Sequence, residues 1–276
     1  MTSKGSIDIA RINTETGEQT VVSTHDNGVR SVVYSKEHSL VISASWDSTV
    51  HVHPAGGETW SPATINLPSK PFALSVSPSK LVVAMSQRAL QIYDLKTLAE
   101  ESKRLGKGSH NRLDVDPWQR RESSLKFMTR SIDCMPNDEG YATSSIEGRV
   151  AVEWFDPSDK SQSRKYAFKC HRQTDDDGTD VVYPVNVIAF HPIYGTFATA
   201  GGDGVVAIWD AQAKRRIRIY PKLPASVAAL SFSSNGKHLA TAISPGFEDG
   251  NEKIEPGSVA IFIRELGEKE VQRKQK

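Results

Sequence analysis

The chain has 276 residues, and its 34 lysines and arginines against 33 aspartates and glutamates leave a formal net charge of +1. This balance argues against a nucleic-acid binder that relies mainly on counterion release, and it gives no reason to expect attraction to an anionic membrane. Only two cysteines occur, Cys134 and Cys170, and they form neither a CxxC pair nor a disulfide framework. We therefore expect an intracellular protein of a reducing compartment.

Five segments repeat one pattern: an apolar stretch, a short turn, a small-residue apolar strand, a tight turn and another strand. Anchored on Tyr34, Val76, Cys134, Phe190 and Phe232, the segments recur after 42, 58, 56 and 42 residues. Two of these spacings equal the roughly 40–45 residues of a four-stranded propeller blade. The two longer spacings require insertions.

The sequence supplies an insertion in each of the longer intervals. The first lies within residues 96–122, where residues 98–105 predict a short helix and residues 106–109 and 116–117 indicate loops. The second lies around residues 175–178, an acidic turn before the strand predicted over 185–190.

The turn chemistry agrees with the repeats. Asp203-Gly204 is a hairpin dipeptide that tolerates positive φ. Three of the predicted third strands end in an aromatic residue followed by aspartate, at 93–94, 155–156 and 209–210, and the last is a literal Trp-Asp. The pattern resembles the WD-repeat class, and we predict an all-β fold, a WD-repeat β-propeller. An irregular β-sandwich, the alternative, leaves the 42-residue spacing unexplained.

We predict a single propeller domain over residues 6–264 and a charged tail over residues 265–276. The predicted blades are 6–25 (partial), 29–67, 71–128 (with an insertion), 129–170, 184–219 and 225–263. The first stretch matches only the last two strands of a blade, and the last repeat has no fourth strand. We therefore expect an N-terminally truncated propeller of about five complete blades with unpaired edges at both ends.

Catalytic constellations are missing from the sequence. It contains no GxSxG elbow, no GxxxxGK[ST] loop and no HExxH helix. The adjacent Cys170 and His171 lack the third group that a nucleophile or a metal site needs, so we expect a surface or structural role for them. Residues 175–177 lack the alternating spacing of a calcium loop. We predict no enzymatic activity, no cofactor and no metal.

Five blocks, at residues 120–126, 144–153, 166–172, 183–186 and 197–204, are specific beyond the Trp-Asp signature. Together they resemble the third group of the "budding uninhibited by benzimidazoles" family of mitotic spindle-checkpoint WD-repeat proteins, from about residue 6 to residue 264. That family has seven blades, so the resemblance implies that roughly the first two are missing here. Two alternatives stay open: a messenger-RNA-export propeller that docks on a nucleoporin, and a generic WD-repeat scaffold or ubiquitin-ligase substrate receptor.

The resemblance implies a non-catalytic adaptor of the spindle assembly checkpoint. Such an adaptor binds a short acidic docking motif of checkpoint kinases and of related pseudokinase and inhibitor proteins. It also reads phosphorylated repeats on a kinetochore scaffold, and so brings the kinases to unattached kinetochores. The expected location is the nucleus and the mitotic kinetochore, with the cytoplasm as a further one; neither nucleic acid nor a membrane is an expected partner.

The resemblance also assigns binding residues. Trp46 matches a Ser-Trp-Asp turn and is expected to anchor the partner, with packing under a neighbouring blade as the alternative. Arg172 matches the arginine that meets the acidic motif, with a surface salt bridge as the alternative, and Lys169 and Arg149 are its weaker companions. Lys214, Arg215 and Arg216 are candidates for phosphopeptide binding, with a solvated basic turn as the alternative.

Three further residues are expected to be structural. In WD-repeat blades a histidine before the first strand and an aspartate in the later tight turn belong to one polar network. His25 and Asp47 match these positions, and Asp203 matches the aspartate in a later blade.

Overall fold

The structure, a computed structural model, describes residues 7–56, 62–105, 111–246 and 254–273. Residues 106–109 of the predicted loop, residue 6 and the last three residues of the predicted tail lie outside these ranges. The chain divides into two compact units, Met1–Ser123 and Ser124–Lys276, and each is described by itself.

The first unit holds ten described strands and one α-helix. The strands are β1 (Asp8–Ile12), β2 (Gln19–Thr24), β3 (Val29–Ser35), β4 (Leu40–Ser45), β5 (Thr49–Pro54), β6 (Ala63–Asn66), β7 (Pro71–Val76), β8 (Lys80–Met85), β9 (Ala89–Asp94) and β10 (Gln119–Glu122). A 3-10 turn (Ser86–Arg88) precedes β9, and helix α1 (Leu95–Leu105) follows it. Strands β1 and β2 form a hairpin, while β3–β6 and β7–β10 form two four-stranded sheets in chain order.

The second unit holds thirteen described strands and two single-turn helices. The strands are β11 (Thr129–Cys134), β12 (Gly140–Ser145), β13 (Arg149–Trp154), β14 (Tyr166–Lys169), β15 (Arg172–Thr174), β16 (Asp180–Val182), β17 (Val187–Phe190), β18 (Thr196–Ala200), β19 (Val206–Asp210), β20 (Arg215–Ile219), β21 (Val227–Phe232), β22 (His238–Ile243) and β23 (Ala260–Glu265). Helices α2 (Asp159–Gln162) and α3 (Glu268–Val271) follow β13 and β23. The sheets are β11–β14, β17–β20, the three-stranded β21–β23 and the hairpin β15–β16.

Each of the five larger sheets is an antiparallel meander, the strand order of a propeller blade. They span residues 29–66, 71–122, 129–169, 187–219 and 227–265. In four of them the first strand shifts register two residues from its start, as between Val29 and Ser31 and between Val227 and Ala229. A recurring bulge at one position is a further sign of an internal repeat.

The middle strands carry the core because both of their faces are packed. Every residue of β12 is buried, and β8 is buried from its second residue onward. Such strands therefore appear as continuous rather than alternating apolar or small-residue runs. The predicted helix in the first insertion is confirmed and begins three residues earlier, at Leu95. It buries Leu95, Leu98, Ala99 and Ser102, one stripe at helical spacing.

Two segments of the second unit lie outside its four-stranded and three-stranded sheets. The acidic turn at residues 175–178 closes the hairpin of β15 and β16, with the Gly178 amide donating to the Asp175 carbonyl oxygen. The region predicted as a charged tail begins with the last residue of β23 and continues into α3. Val271 of α3 is buried, and its carbonyl oxygen accepts a hydrogen bond from the Thr196 hydroxyl at 2.7 Å.

Candidate functional site

Trp46 lies in the tight turn between β4 and β5 of the first unit. Its amide donates to the carbonyl oxygen of Gly28 at 3.1 Å, which holds the turn against the start of β3. The side chain is 46% exposed, so a large apolar surface is available at the rim of the sheet. An exposed tryptophan on a fixed turn suits a docking anchor, because little side-chain entropy is lost on contact.

A buried polar network lies beneath this turn. His25 is 1% exposed, and its Nδ1 lies 3.1 Å from Oδ2 of Asp47 while its Nε2 lies 2.9 Å from the Ser43 hydroxyl. The Thr49 hydroxyl donates to the other Asp47 oxygen at 2.6 Å. Burial opposes ionisation of Asp47, but hydrogen bonds from Thr49 and from the Asp26 amide lower its pKa below the usual value. His25 and Asp47 are therefore bonded to each other inside the blade.

The second unit repeats this network. Asp203 is the predicted aspartate, and its partner is His171, which the sequence pattern did not assign to the network. Asp203 lies in the turn after β18 and contacts Nδ1 of the buried His171, 2.9 Å from its Oδ1. His171 Nε2 lies 2.9 Å from the Thr199 hydroxyl, which also accepts a hydrogen bond from the Trp209 indole. The arrangement gives both ring nitrogens of a buried histidine a partner, which is what burial of polar groups requires.

Arg172 follows this histidine directly and lies in β15. Its Nη2 donates to the carbonyl oxygen of Glu147 at 2.9 Å, in the turn between β12 and β13. Its Nε is buried and has no hydrogen-bond partner among the described residues. A buried guanidinium nitrogen without an acceptor is costly by itself and favours an incoming anion.

Gly148 allows the segment of Cys170 and Arg172 to lie close to the turn between β12 and β13. It has a φ of +63°, and a Cβ at this position would lie 2.7 Å from the carbonyl oxygen of Cys170 and 2.9 Å from Val182. A side chain is therefore excluded on both conformational and steric grounds. The Gly148 carbonyl oxygen also accepts a hydrogen bond from the Cys170 amide, which fixes the segment leading to Arg172.

Arg149 and Lys169 are direct partners across β13 and β14, so their side chains lie on one face of the sheet. Arg149 is balanced in part by Glu147, with 3.6 Å between Nε and Oε2. Lys169 is exposed.

The basic turn at 214–216 begins strand β20, and its three side chains are exposed. The Lys214 ammonium lies over the ring of Tyr166, 4.8 Å from its centre, and the Arg216 guanidinium lies 5.9 Å from the ring centre of Trp209. Arg215 is opposite Asp210 in the register of β19 and β20. The three cations thus point to different neighbours rather than forming one cluster.

A cleft of about 320 Å³ brings three of the predicted binding residues together. Lys169, Arg172 and Arg216 line it, with Trp209 and Ile219 as apolar walls and Asp203 also contributing. Arg149, Lys214 and Arg215 are not part of its lining. The Asp203 carboxylate is already engaged by His171, so the three cations dominate the charge that faces a ligand.

The same cleft holds Cys170, whose chemistry is that of an inert thiol. Burial and, secondarily, the charge of Asp203 raise the pKa of Cys170 to about 12. A thiol that stays protonated is a poor nucleophile. Among the described residues no group of three or more His, Cys, Asp or Glu side chains is arranged to hold a metal ion. No helix in the described ranges is long and apolar enough to cross a membrane.

Comparisons with known proteins agree with the repeat pattern and the fold. The family of WD domains, G-beta repeat, matches residues 17–53 and 167–210. Mitotic checkpoint protein BUB3.1 of Arabidopsis thaliana is 46% identical over 97% of this chain and 74% of its own length. The chain belongs to the BUB3 family of mitotic checkpoint proteins. This confirms the predicted WD-repeat β-propeller class and the family resemblance.

BUB3 membership makes the chain a member of a non-catalytic WD-repeat family, as the sequence predicted. A messenger-RNA-export relative is less similar: export factor GLE2 of Chaetomium thermophilum is 33% identical over 85% of this chain and 61% of its own length. A chain in the crystal structure of the mitotic checkpoint complex shares the fold, with a TM-score of 0.66 and 15% identity over 95% of this chain and 74% of that one.

Proposed function

We propose that this chain is an adaptor of the spindle assembly checkpoint that binds the short acidic docking motif of checkpoint kinases, and of related pseudokinase and inhibitor proteins. The observation that carries the proposal is the cleft lined by Lys169, Arg172 and Arg216. A peptide carboxylate in the cleft would be attracted by these three cations, and Asp203, the one carboxylate of the lining, is already engaged by His171. Charge-assisted hydrogen bonds to arginine are among the stronger polar contacts in proteins.

In the first unit, Trp46 is proposed as an apolar docking anchor in its own right, since it is half exposed on a fixed turn. Arg149 adds positive charge beside Lys169 on the same sheet face. The turn of Trp46 is held by a backbone hydrogen bond, so little conformational free energy is lost there on binding.

The second proposed ligand is a phosphorylated repeat of a kinetochore scaffold. Lys214, Arg215 and Arg216 are exposed and consecutive at the start of β20, and because they lie against different neighbours they would meet the peptide at separate points. A phosphate carries nearly two negative charges at neutral pH and three acceptor oxygens, and arginine can bind it in a bidentate manner. Binding both ligands would bring the kinases to unattached kinetochores, which places the proposed site of action in the nucleus and on mitotic chromosomes.

The test is calorimetric titration of the chain with two peptides, one carrying the docking motif of a checkpoint kinase and one the nucleoporin motif bound by export propellers. Tight binding of the kinase peptide alone is the expected result. Preference for the nucleoporin peptide would move the chain to the export alternative, to which the GLE2 similarity points. A full-length family member that binds the kinase peptide serves as the positive control.

Failure of both peptides, with that control binding, would overturn the proposed function for this chain. The readout depends on peptide affinity alone, so it requires no assay of the checkpoint itself.

A further inference from the structure

The second unit, which holds the cleft of the proposed function, also contains a groove at the opposite end of its strands. It has a volume of about 1020 Å³ and is lined by the turn after β11, the turn after β17 and the end of the chain around α3. The turn after β17 is at the opposite end of β18 from the turn that holds Asp203. This groove is therefore separate from the cleft of the proposed function.

The walls of the groove are fixed before any ligand arrives. The amides of Ile193 and Tyr194 both donate to Nδ1 of the buried His191, each at 3.2 Å, so the turn after β17 is built around this ring. The Tyr194 ring stacks on His191 with 4.7 Å between centres. On the other wall, Gln272 donates to the Tyr194 hydroxyl at 3.2 Å. A groove with pre-organised walls loses little free energy on binding.

Arg273 carries the charge of this groove and lies over Gly195. Its Nη2 is 2.6 Å from where a Cβ of Gly195 would be, and the φ of +62° at Gly195 also favours glycine. The Nε of Arg273 is buried and has no hydrogen-bond partner among the described residues. The lining offers this guanidinium no carboxylate, so its positive charge favours an anionic group bound in the groove.

The lining combines this charge with apolar surface. Lys269 is the second cation, and no aspartate or glutamate is among the lining residues. The nearby carboxylate of Glu270 is engaged elsewhere, 2.8 Å from Arg218. Pro136, Pro192 and Ile193 supply the apolar part, and Ile193 is 63% exposed.

We infer that this groove binds a segment of a partner protein in which acidic residues flank an apolar side chain. Carboxylates would meet Lys269 and Arg273, and the apolar side chain would cover Ile193 and the two prolines. A groove of this size, formed by two turns and the segment around α3, exceeds what most small ligands fill and suits an extended peptide. The site is independent of the docking motif and the phosphopeptide of the proposed function.

The test measures the fluorescence anisotropy of a labelled peptide in which glutamate and leucine alternate, titrated with the 276-residue chain. The control peptide has glutamine in place of every glutamate. The glutamate peptide is expected to bind more tightly, and Arg273→Gln is expected to weaken it by about tenfold or more. Ile193→Glu, at an exposed position that the fold does not need, should weaken it similarly through repulsion.

Two matched variants complete the design. Lys160→Gln removes an exposed cation on α2 that is not in the groove, and it should leave binding unchanged. Arg216→Gln alters the sites of the proposed function and not this groove, so it should also leave binding unchanged, whereas it should weaken the kinase-motif peptide. The assignment would be overturned if the two peptides bound equally, or if Lys160→Gln or Arg216→Gln weakened binding of the glutamate peptide. Unchanged binding of that peptide in both Arg273→Gln and Ile193→Glu would also overturn it.

Discussion

Lys169 faces Arg149 directly across β14 and β13, so two cations stand side by side on one face of the sheet. Like charges directly opposite each other destabilise an antiparallel pair. Glu147 compensates Arg149 only at 3.6 Å, and Lys169 extends into the cleft with Arg172 and Arg216. A charge arrangement that costs stability at a cleft is expected where an anionic partner neutralises it.

Lys169→Glu should therefore separate stability from binding. It replaces the repulsive pair with an attractive one and should raise the free energy of unfolding by about 0.2–1 kcal/mol, as measured by urea denaturation. The same variant should weaken the kinase-motif peptide, because a carboxylate then faces the ligand. Lys160→Glu on α2 is the control and should leave peptide affinity unchanged. Lower stability of Lys169→Glu would contradict the electrostatic account.

Arg172→Ala should weaken binding of the acidic docking motif by about 2 kcal/mol or more in calorimetric titration. The reason is that the partly buried guanidinium lines the cleft, where its charge is expected to meet the carboxylates of the motif. Arg104→Ala is the matched control, since Arg104 is exposed on α1 and pairs with Glu101 at the surface. Equal affinity of Arg172→Ala and the unmodified chain would refute the assignment of this residue.

Asp203→Ala should destabilise the second unit by about 1–3 kcal/mol, because it leaves Nδ1 of the buried His171 without its partner. Asp176→Ala, in the exposed turn between β15 and β16, should have no measurable effect. Urea unfolding followed by tryptophan fluorescence compares the two. An Asp203→Ala chain as stable as the Asp176→Ala chain would show that the network contributes nothing.

Stability of the first unit should fall in mild acid. Burial and, secondarily, the charge of His25 lower the pKa of His51 and of His53 from 6.5 to about 4. Between these values the unfolded chain binds more protons than the folded one. The stabilisation is thus complete above pH 6.5 and is lost progressively as the pH falls towards about 4.

The measurement is the melting temperature between pH 7 and pH 4.5. His53→Phe, which keeps a ring but cannot titrate, should reduce the pH dependence. It also removes a buried Nε2 that has no partner among the described residues. His238→Gln, at an exposed position in β22, should leave the pH profile unaltered. An identical profile for His53→Phe and the unmodified chain would contradict the role of burial.

The repeat was readable from the sequence because each blade must pair its strands and bury its middle ones, and this imposes a spacing and an apolar pattern. The same logic located α1, whose buried stripe recurs at helical spacing. The Ser-Trp-Asp turn that holds Trp46 was recognisable because its signature is local. The family was readable for the same reason, since its blocks are short and contiguous.

His171 was not placed in its network because its partner is not at the usual distance. His25 and Asp47 are 22 residues apart, whereas the hairpin of β15 and β16 lengthens the interval between His171 and Asp203 to 32. The signal that could have revealed the role of His171 was the presence of Thr199 and Trp209, which are hydrogen-bonded to each other and belong to the same network.

By itself, then, the sequence determined the blade repeat, the strand pattern and the family, since all three depend on residues close together in the chain. Only the tertiary structure decided that Arg172 and Arg216 line one cleft, while Lys214 instead lies over Tyr166. It alone brought Arg273 against Gly195 to form the second groove. The physical reason is that sites are made where strands and turns from different blades meet, and that proximity is set by packing rather than by spacing along the chain.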